Sequence, residues 1–122
     1  MKSLDYGVIG NCRSSALVSK QGSIEWLCLP KFDSPSIFAK ILDRKKGGEF
    51  SIKLSDAYQV SQKYLAKTNL LITHFDNGKD AFEIVDFMPR YKIENNEYYA
   101  PPDVIRYFKH IKGRPVFRIL YQ

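Results

Sequence analysis

The sequence predicts an all-β chain, an antiparallel β-sandwich carrying one short helix, and three observations support that class. Runs of strand length rich in Val, Ile, Tyr and Phe recur along the chain, each bounded by Gly, Pro, Asn or Asp. Only one stretch carries helical spacing. Of the 122 residues, 44% are hydrophobic and 14% aromatic, which is enough to bury one core in a chain too short for two ordinary domains.

From Tyr6 to Leu29 short β-type runs alternate with turn residues, and Lys20-Gln21-Gly22-Ser23 separates residues 15–19 from 24–29 at hairpin distance. In the second of these strands Ile24, Trp26 and Cys28 fall on one face, and Glu25, Leu27 and Leu29 on the other. Both faces are mostly apolar, so the strand is expected to be central and Trp26 buried. Ser34-Pro35 then supplies an N-cap oxygen and a residue whose missing N–H is not needed in a first helical turn. Ile37, Phe38, Ile41 and Leu42 share one helical face until Gly47-Gly48 stops the run, and that face is expected to pack on the sheet.

The later strands are expected at 50–54, 58–64, 70–75, 81–88, 104–111 and 116–121. Asp76-Asn77-Gly78-Lys79 and Lys112-Gly113-Arg114-Pro115 mark the turns of two adjacent hairpins. Residues 93–102, with Asn95-Asn96, Tyr98-Tyr99 and Pro101-Pro102, suit a polar and aromatic loop. The last strand stops one residue before the end of the sequence, where a complete β domain usually finishes in a polar tail. Residues 1–122 are therefore expected to form the N-terminal part of a larger sandwich, and strand 116–121, with Phe117, Ile119 and Tyr121, to self-associate through its free edge.

Charge and cysteine content narrow the function classes. The 19 Lys and Arg residues outnumber the 13 Asp and Glu by six, but they are scattered, with Arg44-Lys45-Lys46 the only run of three. Rings fall on both strand faces rather than sharing one with the cations, so a β-barrel for single-stranded nucleic acid is the weaker rival and no nucleic-acid partner is expected. No apolar run is long enough to span a bilayer, and Met1–Asp5 lacks the apolar stretch of a secretory signal, so no membrane partner and a cytoplasmic location are expected. Cys12 and Cys28 suit reduced thiols rather than a zinc site or a disulfide scaffold, and no cofactor or metal is expected.

The common catalytic motifs are absent: there is no G-x-S-x-G elbow, H-E-x-x-H pair or phosphate-binding glycine loop. His74 and His110 both fall inside expected strands, as packing or surface residues. Glycoside cleavage uses an acid and a base, and Glu25, Asp33, Glu83 and Asp86 are the candidates weighed for it. Glu25 and Glu83 lie in strands where a carboxylate most cheaply faces water, while Asp33 and Asp86 sit near Pro35 and Pro89 in positions suited to caps or turns. No two can be paired from spacing. The stretch from Trp26 to Asp33 crowds rings and polar groups at a strand end, which suits either a sugar platform or a core Trp followed by a turn. A free-standing carbohydrate-binding module would need exposed coplanar rings, for which Tyr91, Tyr98 and Tyr99 are the candidates.

Tyr6-Gly7-Val8-Ile9-Gly10-Asn11-Cys12-Arg13, Ala16-Leu17-Val18-Ser19, Gly22-Ser23-Ile24-Glu25-Trp26-Leu27-Cys28-Leu29-Pro30 and Phe32-Asp33-Ser34-Pro35-Ser36-Ile37-Phe38-Ala39 resemble, without a gap, the opening of the trehalase-like N-terminal domain. That domain begins the glucoamylases and trehalases of glycoside hydrolase family 15. The similarity continues more loosely at Gly47-Gly48-x-Phe50, Tyr64-Leu65, Thr68-Asn69-Leu70-Leu71, Val85-Asp86-Phe87-Met88-Pro89 and Ile111-x-Gly113. Two positions depart from the pattern, Asn11 where members more often carry Asp and Lys31 where they more often carry Arg.

The resemblance implies a non-catalytic β-sandwich placed before an (α/α)6 barrel that is absent from residues 1–122 and that holds both catalytic carboxylates. The implied partners are that barrel of the parent chain and, only through it, an α-glucoside substrate. No residue of this segment is expected to be catalytic. Asn11, Arg13, Trp26, Lys31, Phe32 and Asp33 are the residues expected at the substrate-cleft rim or the barrel interface.

Overall fold

The structure, a computed structural model, describes residues 6–31, 33–40, 42, 45–93, 97–101 and 103–121. Among them the chain is all β: β1 (Tyr6–Gly10), β2 (Ser15–Ser19), β3 (Ile24–Cys28), β4 (Ser36–Phe38), β5 (Phe50–Lys53), β6 (Gln59–Tyr64), β7 (Leu71–Asp76), β8 (Ala81–Phe87), β9 (Tyr91–Lys92), β10 (Tyr98–Tyr99), β11 (Ile105–Lys112) and β12 (Arg118–Tyr121). One sheet runs β1-β2-β3-β5-β12 with β4 beside β3, a second runs β11-β8-β7-β6, and β9 and β10 form a small ladder. Neighbouring strands pair antiparallel.

The two large sheets pack face to face because each turns an apolar row inward. Ile9, Ala16, Val18, Ile24, Leu27 and Phe38 of the first sheet meet Leu71 and the buried Met88 beside β8. Further along, Ile52 meets Phe75, Phe82 and Ile84, with Phe108 and Phe117 against them. Phe75 stacks on Phe82 at 4.5 Å between centroids and Phe82 on Phe117 at 4.6 Å, offset contacts that add to the apolar burial.

The central strand is β3, as its composition predicts, but the face assignment within it differs. Ala16 faces Leu27 and Leu17 faces Trp26, then the register shifts so that Val18 faces Ile24, leaving Glu25 unpaired as a bulge. The bulge breaks the simple alternation. Ile24 and Leu27 share the core, whereas Trp26 joins Leu17 on the outer face and is only half-buried. Glu25, expected to face water, is buried and accepts a hydrogen bond from the Tyr6 hydroxyl at 3.0 Å.

The expected helix is absent among the described residues, and Ile41 lies outside them. Ser36–Phe38 instead forms β4, pairing Phe38 with Leu27 and Ser36 with Cys28. The physical reason lies in β3: it meets β5 only at Ile24–Phe50, so its second half would have left peptide groups unpaired. Phe38 goes into the core, but Ile37 is exposed and Leu42 is 75% exposed, which no sheet-packed helical face would leave.

Asn77-Gly78 closes the β7–β8 hairpin as expected, with Gly78 at φ +94 and the Asn77 side chain accepting from the N–H groups of Lys79 and Asp80. The second expected hairpin is not one. Gly113 does turn the chain, at φ +69, but β12 leaves β11 and pairs with β5 in the other sheet. Asp80 fixes that departure by accepting the Arg114 N–H at 2.7 Å, and a side chain on Gly113 would run into Asp80. The stretch expected to be an irregular loop also contains order, since β9 and β10 pair Tyr91 with Tyr99 and Lys92 with Tyr98.

Candidate functional site

Strand register brings the chemistry-bearing loops to one end of the sandwich. The β1–β2 turn, the β3–β4 loop, the approach to β7, the exit from β8 and the approach to β11 all lie there, because Gly10 pairs with Ser15, Cys28 with Ser36, Leu71 with Asp86 and Ile105 with Phe87.

Asn11 organises this end from within. It is 2% exposed, its Oδ1 accepts from the N–H groups of Arg13 and Ser14 at 3.0 Å each, and its Nδ2 donates to the Pro101 carbonyl at 3.0 Å. A carboxylate could make the first two bonds but not the third, which explains why Asn suits this position. The Ser14 hydroxyl donates to the Cys28 carbonyl, tying the turn to the end of β3. The turn presents Cys12 and Arg13 to solvent.

Lys31 and Asp33 are exposed in the β3–β4 loop, where the Lys31 N–H donates to Ser34 Oγ at 3.1 Å. Asp33 lies in a turn with no described helix to cap, and Phe32 lies outside the described residues. Of the six residues expected at a rim or interface, Asn11, Arg13, Lys31 and Asp33 belong to this end. Trp26 stands apart, on the outer face of β3.

The same end holds an open cleft of about 350 Å³ lined by Asn11, Cys12, Asn69, Met88, Arg90 and Tyr91 among others. Asn69, Arg90 and Tyr91 were not among the expected site residues. Their signal was indirect: Asn69 and the 85–89 stretch sit in segments that carry the resemblance, and Tyr91 is one of the three rings weighed for a sugar module. Arg90 lays its guanidinium over the Tyr98 ring at 4.1 Å, which holds it across the small β9–β10 ladder.

The carboxylates do not assemble into an acid and base pair. Asp86, expected in a cap or turn, is fully buried inside the sandwich on β8, where Arg106 grips it through Nε at 2.6 Å and Nη2 at 3.1 Å. Burial pushes its carboxyl up, against the pull of Arg106. The other face of that guanidinium lies over Phe50 at 4.8 Å, and Nη2 also donates to the Gly22 carbonyl, so the pair clamps the two sheets. Sealed in this way it cannot meet a substrate. Glu83 pairs with His74 at 3.0 Å across adjacent strands, and His110 contacts the Gly113 carbonyl, so both histidines sit in strands as expected. No group of three or more His, Cys, Asp or Glu suited to a metal occurs among the described residues, and no described helix is long and apolar enough to cross a membrane.

Comparison with known proteins gives this end a context. A family model described as "Trehalase-like, N-terminal" matches residues 5–107. A trehalase of Thermoplasma volcanium is 47% identical over 87 residues, covering 69% of this chain and 14% of that protein. Trehalase 1 of Sulfolobus acidocaldarius is 52% identical over 84 residues, covering 68% of this chain and 14% of that protein. A trehalase of Mycolicibacterium smegmatis is 54% identical over 43 residues, or 35% of this chain and 6% of that protein. The chain thus spans about one-seventh of the length of the first two relatives, and no solved structure matches it. With a family model covering most of its length over an antiparallel sandwich, the chain belongs to the trehalase-like N-terminal domain family.

Proposed function

We propose that residues 1–122 are the opening, non-catalytic β-sandwich of a longer cytoplasmic glycoside hydrolase that cleaves α-glucosides, trehalose and glucoamylase-type substrates being the candidates. The observation that carries this reading is the division of labour in the chain. Of the segments resembling the family, those around Asn11-Cys12-Arg13, Leu29-Pro30, Asn69-Leu70 and Met88-Pro89 meet at one loop-bearing end, while the fully buried carboxylate of Asp86 is engaged in clamping the sheets. In the longer protein a helical barrel would supply a carboxylic acid to protonate the leaving oxygen and a carboxylate to activate water, with inversion at the anomeric carbon. The sandwich braces that barrel, with Arg13, Lys31 and Asp33 at the interface or the rim of its cleft.

The test compares two proteins. The 122-residue chain is expected to hydrolyse neither trehalose nor maltose, and the product of the whole reading frame that contains it is expected to hydrolyse at least one α-glucoside. Turnover by the short chain that is lost in Asp33→Ala or Asp86→Asn would overturn the reading, as would a full-length product inert on all α-glucosides.

A further inference from the structure

The cleft at the loop end has a chemistry of its own. Its floor is apolar, formed by Leu70, Phe87 and the buried Met88, and its rim carries three groups able to meet a ligand. Tyr91 is 52% exposed and lies opposite Tyr99, itself 53% exposed, so the two rings share one face of the β9–β10 ladder. Asn69 is exposed, and its amide has no hydrogen-bond partner among the described residues. Arg90 spends one face of its guanidinium on Tyr98 and keeps its N–H edge without a partner among the described residues.

Among the described residues no carboxylate lines the cleft, and Arg90 is the one cation there. A phosphate or carboxylate ligand calls for several converging cations or backbone N–H groups. A neutral polyhydroxylated ring calls for a flat aromatic face beneath its C–H groups and for amide and guanidinium edges that donate to, or accept from, neighbouring hydroxyls. The cleft offers this second set in a volume within the usual range of small-molecule sites.

We infer that this cleft binds a neutral sugar ring, stacked on Tyr91 and hydrogen-bonded by Asn69 and Arg90. It is a non-catalytic sugar subsite carried by the sandwich itself. The choice of α-glucosides as probes rests on the function proposed above, whereas the site rests on the cleft.

The experiment titrates the 122-residue chain with glucose, maltose and trehalose while heteronuclear NMR follows the Asn69 side-chain amide and the backbone of residues 10–12, 69–70 and 87–91. Saturable shifts confined to those signals are expected with at least one sugar. Tyr91→Ala and Asn69→Ala, both exposed and distant from the core, should each weaken binding by about tenfold with the rest of the spectrum unchanged. Absence of localised shifts with all three sugars overturns the inference, as do shifts that survive both substitutions. Shifts produced by inorganic phosphate and not by sugars would reassign the cleft to an anion. Failure here with hydrolysis intact in the full-length product removes the subsite alone; loss of that hydrolytic activity removes the proposed function and leaves a sugar shift standing.

Discussion

The two long sides of the sandwich are finished in opposite ways. On one side the edge strands β1 and β6 are stitched together. The Tyr64 hydroxyl accepts the Val8 N–H at 2.7 Å and donates to the Val8 carbonyl at 3.0 Å, and Gln62 Nε2 donates to the Ser19 carbonyl and to Thr73. On the other side β11 and β12 end their sheets with no such bridge among the described residues, and Tyr107, Ile111, Val116, Ile119 and Tyr121 are all exposed. A single phenol oxygen therefore suffices to satisfy an edge peptide that would otherwise recruit another strand. The open side keeps its apolar side chains and instead carries exposed Lys109, Lys112, Arg114 and Arg118, with no acidic residue from 104 to 121.

The largest effect should come from the one residue that anchors the open side inward. Removing Asp86 would leave the Arg106 guanidinium buried without its counter-charge, so Asp86→Ala is expected to destabilise the chain by about 3 to 5 kcal/mol in denaturant titration. Amide exchange should accelerate in β11 and β8 before it does in β1. A loss below about 1 kcal/mol would mean that the two sheets hold together on apolar packing alone. At the loop end, Asn11→Asp exchanges a donor for an oxygen facing the Pro101 carbonyl and is expected to cost about 1 to 3 kcal/mol. The contacts to Arg13 and Ser14 survive that substitution, so unchanged stability would show the Pro101 bond to be dispensable.

The stitched side and the open side were not equally legible in the sequence. The strands themselves were, because alternation and turn residues are local, and Asn77-Gly78 specifies its hairpin within four residues. Where β12 would go was not, since Gly113 marks a turn without saying which sheet the chain enters next, and Asp80 decides that from 34 residues away. The bulge at Glu25 was likewise invisible: one extra residue moved Trp26 to the outer face, and nothing in the alternation marks it. The 36–38 run was misread as helical because the vacancy beside β3 that it fills is a property of the sheet and not of the run. At the loop end Asn11, Arg13, Lys31 and Asp33 were expected from the resemblance and Tyr91 from its place in an aromatic loop, whereas Arg90 emerged only when β8 and the β9–β10 ladder brought it to the cleft.

Removing the stitch itself should have a smaller effect. Tyr64→Phe keeps the ring and deletes both hydrogen bonds to Val8, and since Val8 can turn to water the expected cost is about 0.5 to 1.5 kcal/mol. Exchange at Val8 should rise with β11 unchanged, and any propensity of β1 to pair between molecules should appear in this variant. Smaller again is the acid response of Glu49. Burial pushes its carboxyl up, but hydrogen bonds from Lys40 Nζ at 2.8 Å and Ser23 Oγ at 2.9 Å outweigh it and leave the folded value below 4.5. A depressed carboxyl stabilises the fold above its unfolded value and loses that contribution as pH falls through the folded one, so Glu49→Gln should flatten the acid limb between about pH 5 and pH 3. An acid limb identical in the variant would place the acid sensitivity elsewhere.

The smallest expected effect is on association, and it tests the open side directly. The free edge of β12 and its exposed Ile119 and Tyr121 favour antiparallel pairing with a second copy. The four exposed cations Lys109, Lys112, Arg114 and Arg118 oppose it, because a twofold contact brings two such surfaces together. The Debye length is about 10 Å at 0.1 M salt and shorter above it, so added salt should weaken the repulsion while leaving apolar burial in place. Weak self-association that grows with salt is therefore expected in light scattering across a dilution series. Ile119→Lys should abolish it, adding a charge where the pair would close. Association that falls as salt rises would mean that the contact is electrostatic and lies away from β12, and a strict monomer at every salt concentration would show that the β12 edge is not an association surface and that charge repulsion is not what keeps it single.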